Sequence, residues 1–402
     1  MGLLPILDAR ASFAGRPSHF SALPPAAGGL RFRITQPRRI PMLLLLLFVG
    51  CPAPDPTAGL PSAGFLSLTS AAAKELSACL ARFPESPAAA AGERLTAAAE
   101  ACPGELYGEG ERAWEALRCS APPQAVAALR QDRDLAMGSP RSAAGIAHAE
   151  ATVRPDAVNL DATLPLPDEA GPLGLLLPGG DPAGPAVLSG QGAVLHARAR
   201  PAGGIDLGAF VSAGSHADSL FDLKAELLSA TVLSGWWELA LYPPGAGGEL
   251  PWPVLAVGVR AATADAAVDA FVEEVRAKWG VQRQATTIAG APGECLGGLK
   301  IMPGFEPCYA RREDTLAIGW NAEALAGALA GPPADLGLAG ASGARLDFGA
   351  MKAADALLAS GKPADTLYPP LDYPLGTVTI RLLPPEGGAL RLRATSTAGC
   401  GP

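Results

Sequence analysis

Residues 236–242 read WWELALY, and residues 377–382 read TVTIRL. In each segment every second residue is apolar, so these side chains lie on one face of a strand. This is the pattern of a strand with one buried face. The apolar side chains are Trp237, Leu239 and Leu241 in the first segment and Val378, Ile380 and Leu382 in the second. A Pro-Pro turn and a further alternating segment follow each of them. Both segments therefore predict the first strand of a β-hairpin.

The two hairpins belong to a longer internal repeat. The motif IDLGAF at 205–210 recurs as LDFGAM at 346–351, an offset of 141 residues. The Pro-Pro turn recurs at the same offset, which is what a duplication predicts. We therefore expect two α+β repeats, at residues 138–280 and 281–402.

Helical segments lie between the predicted strands. Residues 219–232 begin with a capping-box pattern, Ser-x-x-Asp, and residues 263–279 carry apolar side chains at helical spacing. Shorter helices are predicted near 321–330 and 350–358. Hairpins mixed with helices predict an antiparallel α+β layer fold.

Residues 69–137 predict a small helical domain ahead of the repeats. Capping residues or prolines mark helix starts at Thr69, Ser86 and Pro122. Between the last two starts, residues 106–119 carry apolar side chains that we assign to a third helix. Because short breaks separate the helices, successive helices are expected to be antiparallel.

An apolar run, MLLLLLFVGC, occupies Met42–Cys51. It is shorter than the about 20 residues that span a bilayer, and arginines precede it, as in a secretory signal. Its end, FVGC, resembles the lipobox of bacterial lipoproteins, although Phe48 stands where that pattern has an aliphatic residue. The resemblance covers only about the first 50 residues. It implies removal of residues 1–50 and a lipid anchor on Cys51.

The alternative for the run is a buried leucine-rich helix with an ordinary core cysteine. Pro41 and Pro52 bracket the run and prevent a longer helix, which favours the signal. Residues 51–68 are rich in Pro, Gly, Ala and Ser, and this composition predicts a flexible tether. The rest of the chain carries no motif of a characterised family.

Charge excludes two classes of partner. The whole chain has a net charge of -8, and its first 50 residues hold six Arg and one Asp, a net of +5, so the remainder carries -13. An acidic body of this kind repels the phosphates of nucleic acids and of anionic lipids. The sequence therefore predicts no nucleic-acid partner, and a membrane attachment through lipid rather than through charge.

Six cysteines remain when Cys51 is set aside, and an even number in an exported chain favours disulfides. Cys295 and Cys308 flank turn-prone glycines and are expected to pair. The antiparallel helices would place Cys79 beside Cys119. Cys102 and Cys400 then remain as a pair by elimination. No CxxC motif occurs, so a zinc site is disfavoured.

Three groups of residues are candidates for catalytic or metal-binding sites. His216, Asp218 and Asp222 have a metal interpretation, but a short His-x-Asp motif has little specificity and the start of a helix is the favoured explanation. Ser189 lies in LSGQG, where turn chemistry explains it, and a Gly-x-Ser-x-Gly motif is absent from the sequence. The remaining candidates are surface or hydrogen-bonded residues without a local motif, namely His148, His196, Glu273 and Glu274. We predict no catalytic residue, no metal and no cofactor.

Trp236, Tyr242 and Trp252 flank the first hairpin and form a candidate ligand surface for a glycan, a peptide or a lipid. The alternative is that they pack beneath the amino-terminal domain, as large aromatic side chains are usually buried.

The sequence thus predicts a lipid-anchored envelope protein that binds or scaffolds a partner, an envelope protein or a glycan, without catalysis. Its expected location is the outer membrane, facing the periplasm or the cell surface. The alternative is a carrier of a lipid or other hydrophobic ligand, and a hydrolase is the third.

The anchor gives the first testable prediction. In cells grown with labelled fatty acid, Cys51→Ala should accumulate as an unprocessed precursor without label, because the modified thiol is gone. Normal acyl labelling of the Cys51→Ala protein would contradict the lipobox assignment.

Overall fold

The computed structural model describes residues 59–81, 89–142, 144–166, 178–180, 186–202, 233–243, 252–259, 261–298, 305–334, 336, 342–351, 375–386 and 389–398. All of them belong to one unit, Gly59–Pro402. Several predicted features lie outside these residues, namely the run Met42–Cys51, His216 with Asp218 and Asp222, and Cys400.

Strands dominate the described residues and form a 17-stranded sheet. The strands are β1 (Ala63–Thr69), β2 (Glu105–Glu109), β3 (Arg118–Cys119), β4 (Leu135–Pro140), β5 (His148–Val153), β6 (Ala157–Pro165), β7 (Pro178–Gly180), β8 (Leu195–Pro201), β9 (Leu233–Tyr242), β10 (Trp252–Val259), β11 (Gln282–Ile288), β12 (Ala291–Gly297), β13 (Cys308–Arg312), β14 (Thr315–Gly319), β15 (Gly343–Asp347), β16 (Leu375–Glu386) and β17 (Ala389–Ala398).

Five helices accompany the strands in the described part of the chain: α1 (Ser70–Leu80), α2 (Ala89–Ala101), α3 (Gln124–Arg130), α4 (Ala261–Trp279) and α5 (Ala322–Ala330). Two of them begin at capping residues. The Thr69 hydroxyl accepts the Ala72 N–H at 3.1 Å, and the Asn321 side chain accepts the Ala324 N–H at 2.8 Å. These bonds satisfy N–H groups that a helix start leaves without a partner. None of the described helices is long and apolar enough to cross a membrane.

Every neighbouring pair of strands in the described sheet is antiparallel. Across the sheet the strand order is β3-β2-β1-β4-β5-β6-β17-β16-β15-β8-β9-β10-β14-β13-β12-β11, and β7 pairs with the end of β8. Both predicted hairpins are confirmed as β9–β10 and β16–β17. The meanders β8–β9–β10 and β15–β16–β17 have the same strand order and meet where β8 pairs with β15. The antiparallel α+β class is therefore correct.

Helices cover both faces of the sheet at its two ends. On the first face, α1 and α2 bury Leu68 and Leu106, and α4 buries Val257 and Leu316. On the second face, α3 packs on Phe65 and Ala136 at one end, and α5 packs on Val254 and Ala317 at the other. Full burial of a leucine, valine or phenylalanine side chain contributes about 1.5–3 kcal/mol to the free energy of unfolding. Each end of the sheet is thus a helix–sheet–helix sandwich.

Two expectations for the amino-terminal region are wrong. Residues 63–68, expected within the tether, form β1 together with Thr69, and this strand is largely buried and paired with both β2 and β4. Residues 106–119, expected to form a helix, instead contain β2 and β3. The apolar residues of this segment do not alternate as in a half-buried strand, and pairing with β1 makes residues 105–109 a strand. The region is therefore a part of the sheet with helices on it, not a separate bundle.

The disulfides follow from strand pairing. Cys295 and Cys308 lie directly opposite each other on β12 and β13 and are bonded, which is the predicted pair. Cys102 is bonded to Cys119, so the predicted pairs of Cys79 with Cys119 and of Cys102 with Cys400 are wrong. The reason is that β3 returns alongside β2, which places Cys119 opposite Leu106 and next to the end of α2. Cys79 is also disulfide-bonded, to a partner outside the described residues.

Removal of the β12–β13 disulfide tests its contribution to stability. The bond joins residues 13 apart, and the chain-entropy model gives about 3 kcal/mol for a loop of this size. We expect the double variant Cys295→Ala, Cys308→Ala to lose about this much unfolding free energy in urea. The oxidised wild-type protein is the control, because global reduction would also break the Cys102–Cys119 bond. An unchanged midpoint, or peptide mapping that finds another partner for Cys295, would refute the assignment.

Candidate functional site

A fully buried carboxylate lies on the second face of β9. Glu238 is 0% exposed, and its side chain accepts the backbone N–H groups of Val187 and Leu188 at 2.9 and 2.8 Å. Its Oε1 also lies 2.7 Å from Nε2 of His196 on β8. Because the carboxylate accepts from both backbone groups, Nε2 is the protonated nitrogen of the imidazole and donates to it. A buried charge is tolerated when it is hydrogen-bonded in this way.

His196 has one nitrogen left over. The residue is 2% exposed, and its Nδ1 is buried without a hydrogen-bond partner among the described residues. Arg345 on β15 lies directly across from His196, and Arg198 lies directly across from Glu238. Buried polar atoms nearly always have a partner, so this imidazole nitrogen requires one, such as an ordered water or a ligand hydroxyl.

A cavity of about 270 Å³ adjoins the His196 ring. Its walls are the turn after Ser189, the segment after α5, the start of β8, and β15 with the helical turn that follows. The described residues that line it are Gly190, Gln191, Gly192, Ala193, His196, Pro332, Pro333, Ala334, Leu336, Arg345, Asp347 and Ala350. None of these residues carries a hydroxyl or thiol side chain.

Glycine at position 190 makes room for the Ala334 segment. A Cβ there would lie 2.8 Å from the Cβ of Ala334 and 3.8 Å from Nδ1 of His196. The first distance is too short for any side chain without movement of the Ala334 segment. Glycine at 190 therefore allows the Ala334 segment to lie close to this turn and to the His196 ring.

The turn that carries Ser189 is held by the surrounding elements. The Ser189 N–H donates to the Ala328 carbonyl of α5, and the Tyr242 hydroxyl donates to the Ser189 carbonyl at 2.6 Å. Burial raises the pKa of the Tyr242 phenol above its ordinary value, and the Glu238 charge adds to this increase. The Ser189 hydroxyl accepts the Gln191 N–H at 3.2 Å and does not line the cavity. Its role is the turn that the sequence indicates.

The predicted aromatic surface is divided between separate places. Trp236 and Tyr242 both pack, half-buried, against the core beneath α5 rather than beneath the amino-terminal helices. They are six residues apart on β9, or about 20 Å at the rise of a strand. Glycine at 258 makes room for Trp236, because a Cβ there would lie 2.2 Å from the indole Nε1. The structure describes only the backbone of Trp252, which pairs with Tyr242.

The other sequence candidates are accounted for locally. His148 on β5 has its Nδ1 3.4 Å from the Ile146 carbonyl, and burial lowers the pKa of its imidazole. Glu273 is exposed on α4 and forms ion pairs with Arg276 and Arg283. No group of three or more His, Cys, Asp and Glu side chains with metal-binding geometry occurs in the described ranges.

Sequence reasoning missed Glu238 as the partner of His196. The two residues are 42 positions apart and form no local motif. The sequence signal for this buried pair was Glu238 itself. It lies in WWELALY between Trp236 and Ala240, on a strand whose other face is wholly apolar. Its neighbours on the same face, Trp236, Ala240 and Tyr242, are aromatic or small, which is compatible with a second buried face, and a carboxylate buried there needs a hydrogen-bonding partner.

Comparison with known proteins yields no relative. No protein-family model, no curated protein and no solved structure matches this chain.

The importance of the buried carboxylate can be tested by Glu238→Gln. The amide keeps the size of the side chain but turns a donor toward N–H groups that need acceptors, so we expect a loss of about 3 kcal/mol in unfolding free energy. Glu386→Gln removes an equal charge from a side chain that is 75% exposed and should change stability by less than about 0.5 kcal/mol. Equal effects of the two substitutions in urea denaturation would contradict the burial argument.

Proposed function

We propose that this chain is a lipid-anchored envelope protein that binds a polar partner, an envelope protein or a glycan, on the second face of its central strands. The main support for this proposal is the chemistry of that surface. Hydroxyl, amide and charged side chains lie side by side on β6, β17 and β16, and several are exposed. We call this surface the arginine–threonine face; it comprises Asn159, Asp161, Thr379, Arg381, Arg391, Arg393 and Thr395.

The arginine–threonine face is ordered by contacts between its own side chains. Arg393 donates to Asp161 at 2.7 Å, and the Thr395 hydroxyl donates to Asn159 at 3.0 Å. Arg133 binds the second oxygen of Asp161 at 2.7 Å. These bonds orient donors without burying them, because Arg393 remains 58% exposed. A preorganised polar surface loses less entropy when a partner binds.

The anchor and the location rest on the sequence alone. The lipobox resemblance at Cys51 supports attachment to the outer membrane, with the sheet facing the periplasm or the cell surface. The acidic charge of the remainder of the chain supports attachment through lipid rather than through charge.

Binding without catalysis is supported by the composition of the cavity beside His196. A histidine oriented by a carboxylate can act as a general base, and in hydrolases with such a pair the nucleophile is commonly a hydroxyl or a thiol. The described lining residues offer neither, and the nearest serine, Ser189, is occupied in its turn.

We also propose that the repeated motifs reflect a duplication of one sheet-forming unit. The equal strand order of β8–β9–β10 and β15–β16–β17 supports it. Leu239 and Ile380, which lie 141 residues apart, occupy the same strand of the two meanders, and each pairs with an apolar residue of the next strand, Leu255 and Ala394.

The second candidate, a carrier of a hydrophobic ligand, is favoured by one observation. The first face of β16 and β17 presents aliphatic side chains that are only partly buried, including Ile380, Leu382 and Leu392. A carrier would bind radiolabelled fatty acid or phospholipid with one-to-one stoichiometry. Absence of such binding by the delipidated protein removes this candidate.

Site-specific photo-crosslinking in cells tests the binding proposal. A photoreactive residue at Thr395, exposed on the arginine–threonine face, should give a discrete adduct. The same residue at Lys74, exposed on α1, should give none. Protease or glycosidase digestion of the adduct then identifies the partner as protein or glycan.

Charge reversal is the second arm of this test. Arg381→Glu with Arg393→Glu should abolish the Thr395 adduct, because both guanidinium groups lie beside that position. Equal adducts from Thr395 and Lys74, or an adduct indifferent to the charge reversal, would refute the proposed surface.

A further inference from the structure

We propose that the cavity beside His196 binds a small neutral polyhydroxyl ligand of the size of one sugar ring. This site is distinct from the arginine–threonine face, and the proposal does not depend on the lipid anchor or on the partner bound by that face.

The first argument is the unpartnered nitrogen of His196. Its Nε2–H is directed at Glu238, and in the tautomer that this bond selects the lone pair lies on Nδ1. That atom is buried without a partner among the described residues, and the ring lines the cavity. A ligand hydroxyl that donates to Nδ1 would satisfy it, and the Glu238 carboxylate would hold the ring in the tautomer that accepts.

The second argument is the balance of charge in the lining. Arg345 and Asp347 bring one positive and one negative side chain to the same cavity, and Gln191 adds an amide that both donates and accepts. A carboxylate ligand would be repelled by the like charge of Asp347, and an ammonium ligand would be repelled by the like charge of Arg345. Hydroxyl groups donate and accept, so a neutral polyhydroxyl molecule can use every one of these groups without an uncompensated charge.

The third argument is size and shape. A cavity of about 270 Å³ is below the about 300 Å³ at which pockets for drug-sized ligands begin. The glycines at 190 and 192 leave the polar side open, while Pro332, Pro333 and Leu336 form an apolar wall. A sugar ring has the matching pair of surfaces, hydroxyls at its edge and C–H groups on its face.

A metal ion fits these residues less well. An oriented His–Glu pair is a common support for a metal ligand, but a stable site needs three or four ligands. The described residues contain no such group of three, and the cationic Arg345 opposes a divalent ion. Metal binding is therefore an outcome that the experiment must separate from the proposal.

The experiment is an NMR titration of the imidazole nitrogens in the full chain. The His196 signals are assigned by substitution of the other histidines. Neutral monosaccharides, among them glucose, galactose, mannose and N-acetylglucosamine, are added in turn, and acetate, methylammonium and Zn²⁺ are added in parallel. We expect at least one neutral sugar to shift the Nδ1 resonance of His196 in a saturable way, while Nε2 moves little because its bond to Glu238 persists.

Two rim substitutions give the matched comparison. Arg345→Ala and Gln191→Ala are exposed changes that leave the core intact, and each should weaken the sugar about tenfold, the equivalent of one good hydrogen bond. Arg112→Ala removes the same charge from a side chain that is 76% exposed and lies outside both the cavity and the arginine–threonine face, and it should leave the affinity unchanged.

Three results would overturn the proposal. One is a His196 signal that no neutral sugar shifts, which would leave the cavity to water. Another is tighter binding of acetate, methylammonium or Zn²⁺ than of any sugar. The last is an equal loss of affinity in Arg112→Ala and Arg345→Ala.

Discussion

The fold depends on one unbroken row of apolar side chains across eleven strands of the first face. Each member lies directly opposite the next: Leu68, Leu135, Ala151, Leu160, Ala394, Ile380, Ala344, Ala197, Leu239, Leu255 and Ile318. Because side chains alternate between faces, a slip of one residue in any strand would replace a member by its polar neighbour. A slip in β16, for example, would bring Arg381 into the row. The row therefore fixes the register of strands that are far apart in sequence.

The neighbouring row on the second face explains why the ends and the centre of the sheet differ. It passes through charged side chains only in the central strands: Glu150, Asp161, Arg393, Arg381, Arg198 and Glu238. Toward either end the same row continues in small residues, Ala136 on one side and Ala256 with Ala317 on the other. Small residues let α3 and α5 approach the sheet closely, whereas charged side chains require water or a specific partner.

Glu238 stands at the boundary between these two environments and connects the loop before β8 to the sheet. Its carboxylate holds the backbone N–H groups of Val187 and Leu188, and Leu188 in turn accepts the Ala334 N–H. Two walls of the cavity, the turn after Ser189 and the segment after α5, are thus tied to one buried charge. Burial of a charge rarely adds stability over an apolar residue of the same size, but it restricts the arrangements that satisfy it. The position of the loop, and the access to His196, follow from that restriction.

The sequence by itself determined what depends on local periodicity and capping: the hairpins after residues 233 and 375, the helices α4 and α5, and the disulfide across a single pair of adjacent strands. The tertiary structure decided where local signals conflict or are silent. The spacing of apolar residues in 106–119 does not decide between helix and strand. Pairing with β1 makes residues 105–109 a strand, and the return of β3 alongside β2 brings Cys119 to Cys102. The partner of His196 lies 42 residues away, because antiparallel pairing of β8 with β9 is a non-local contact that no residue spacing encodes.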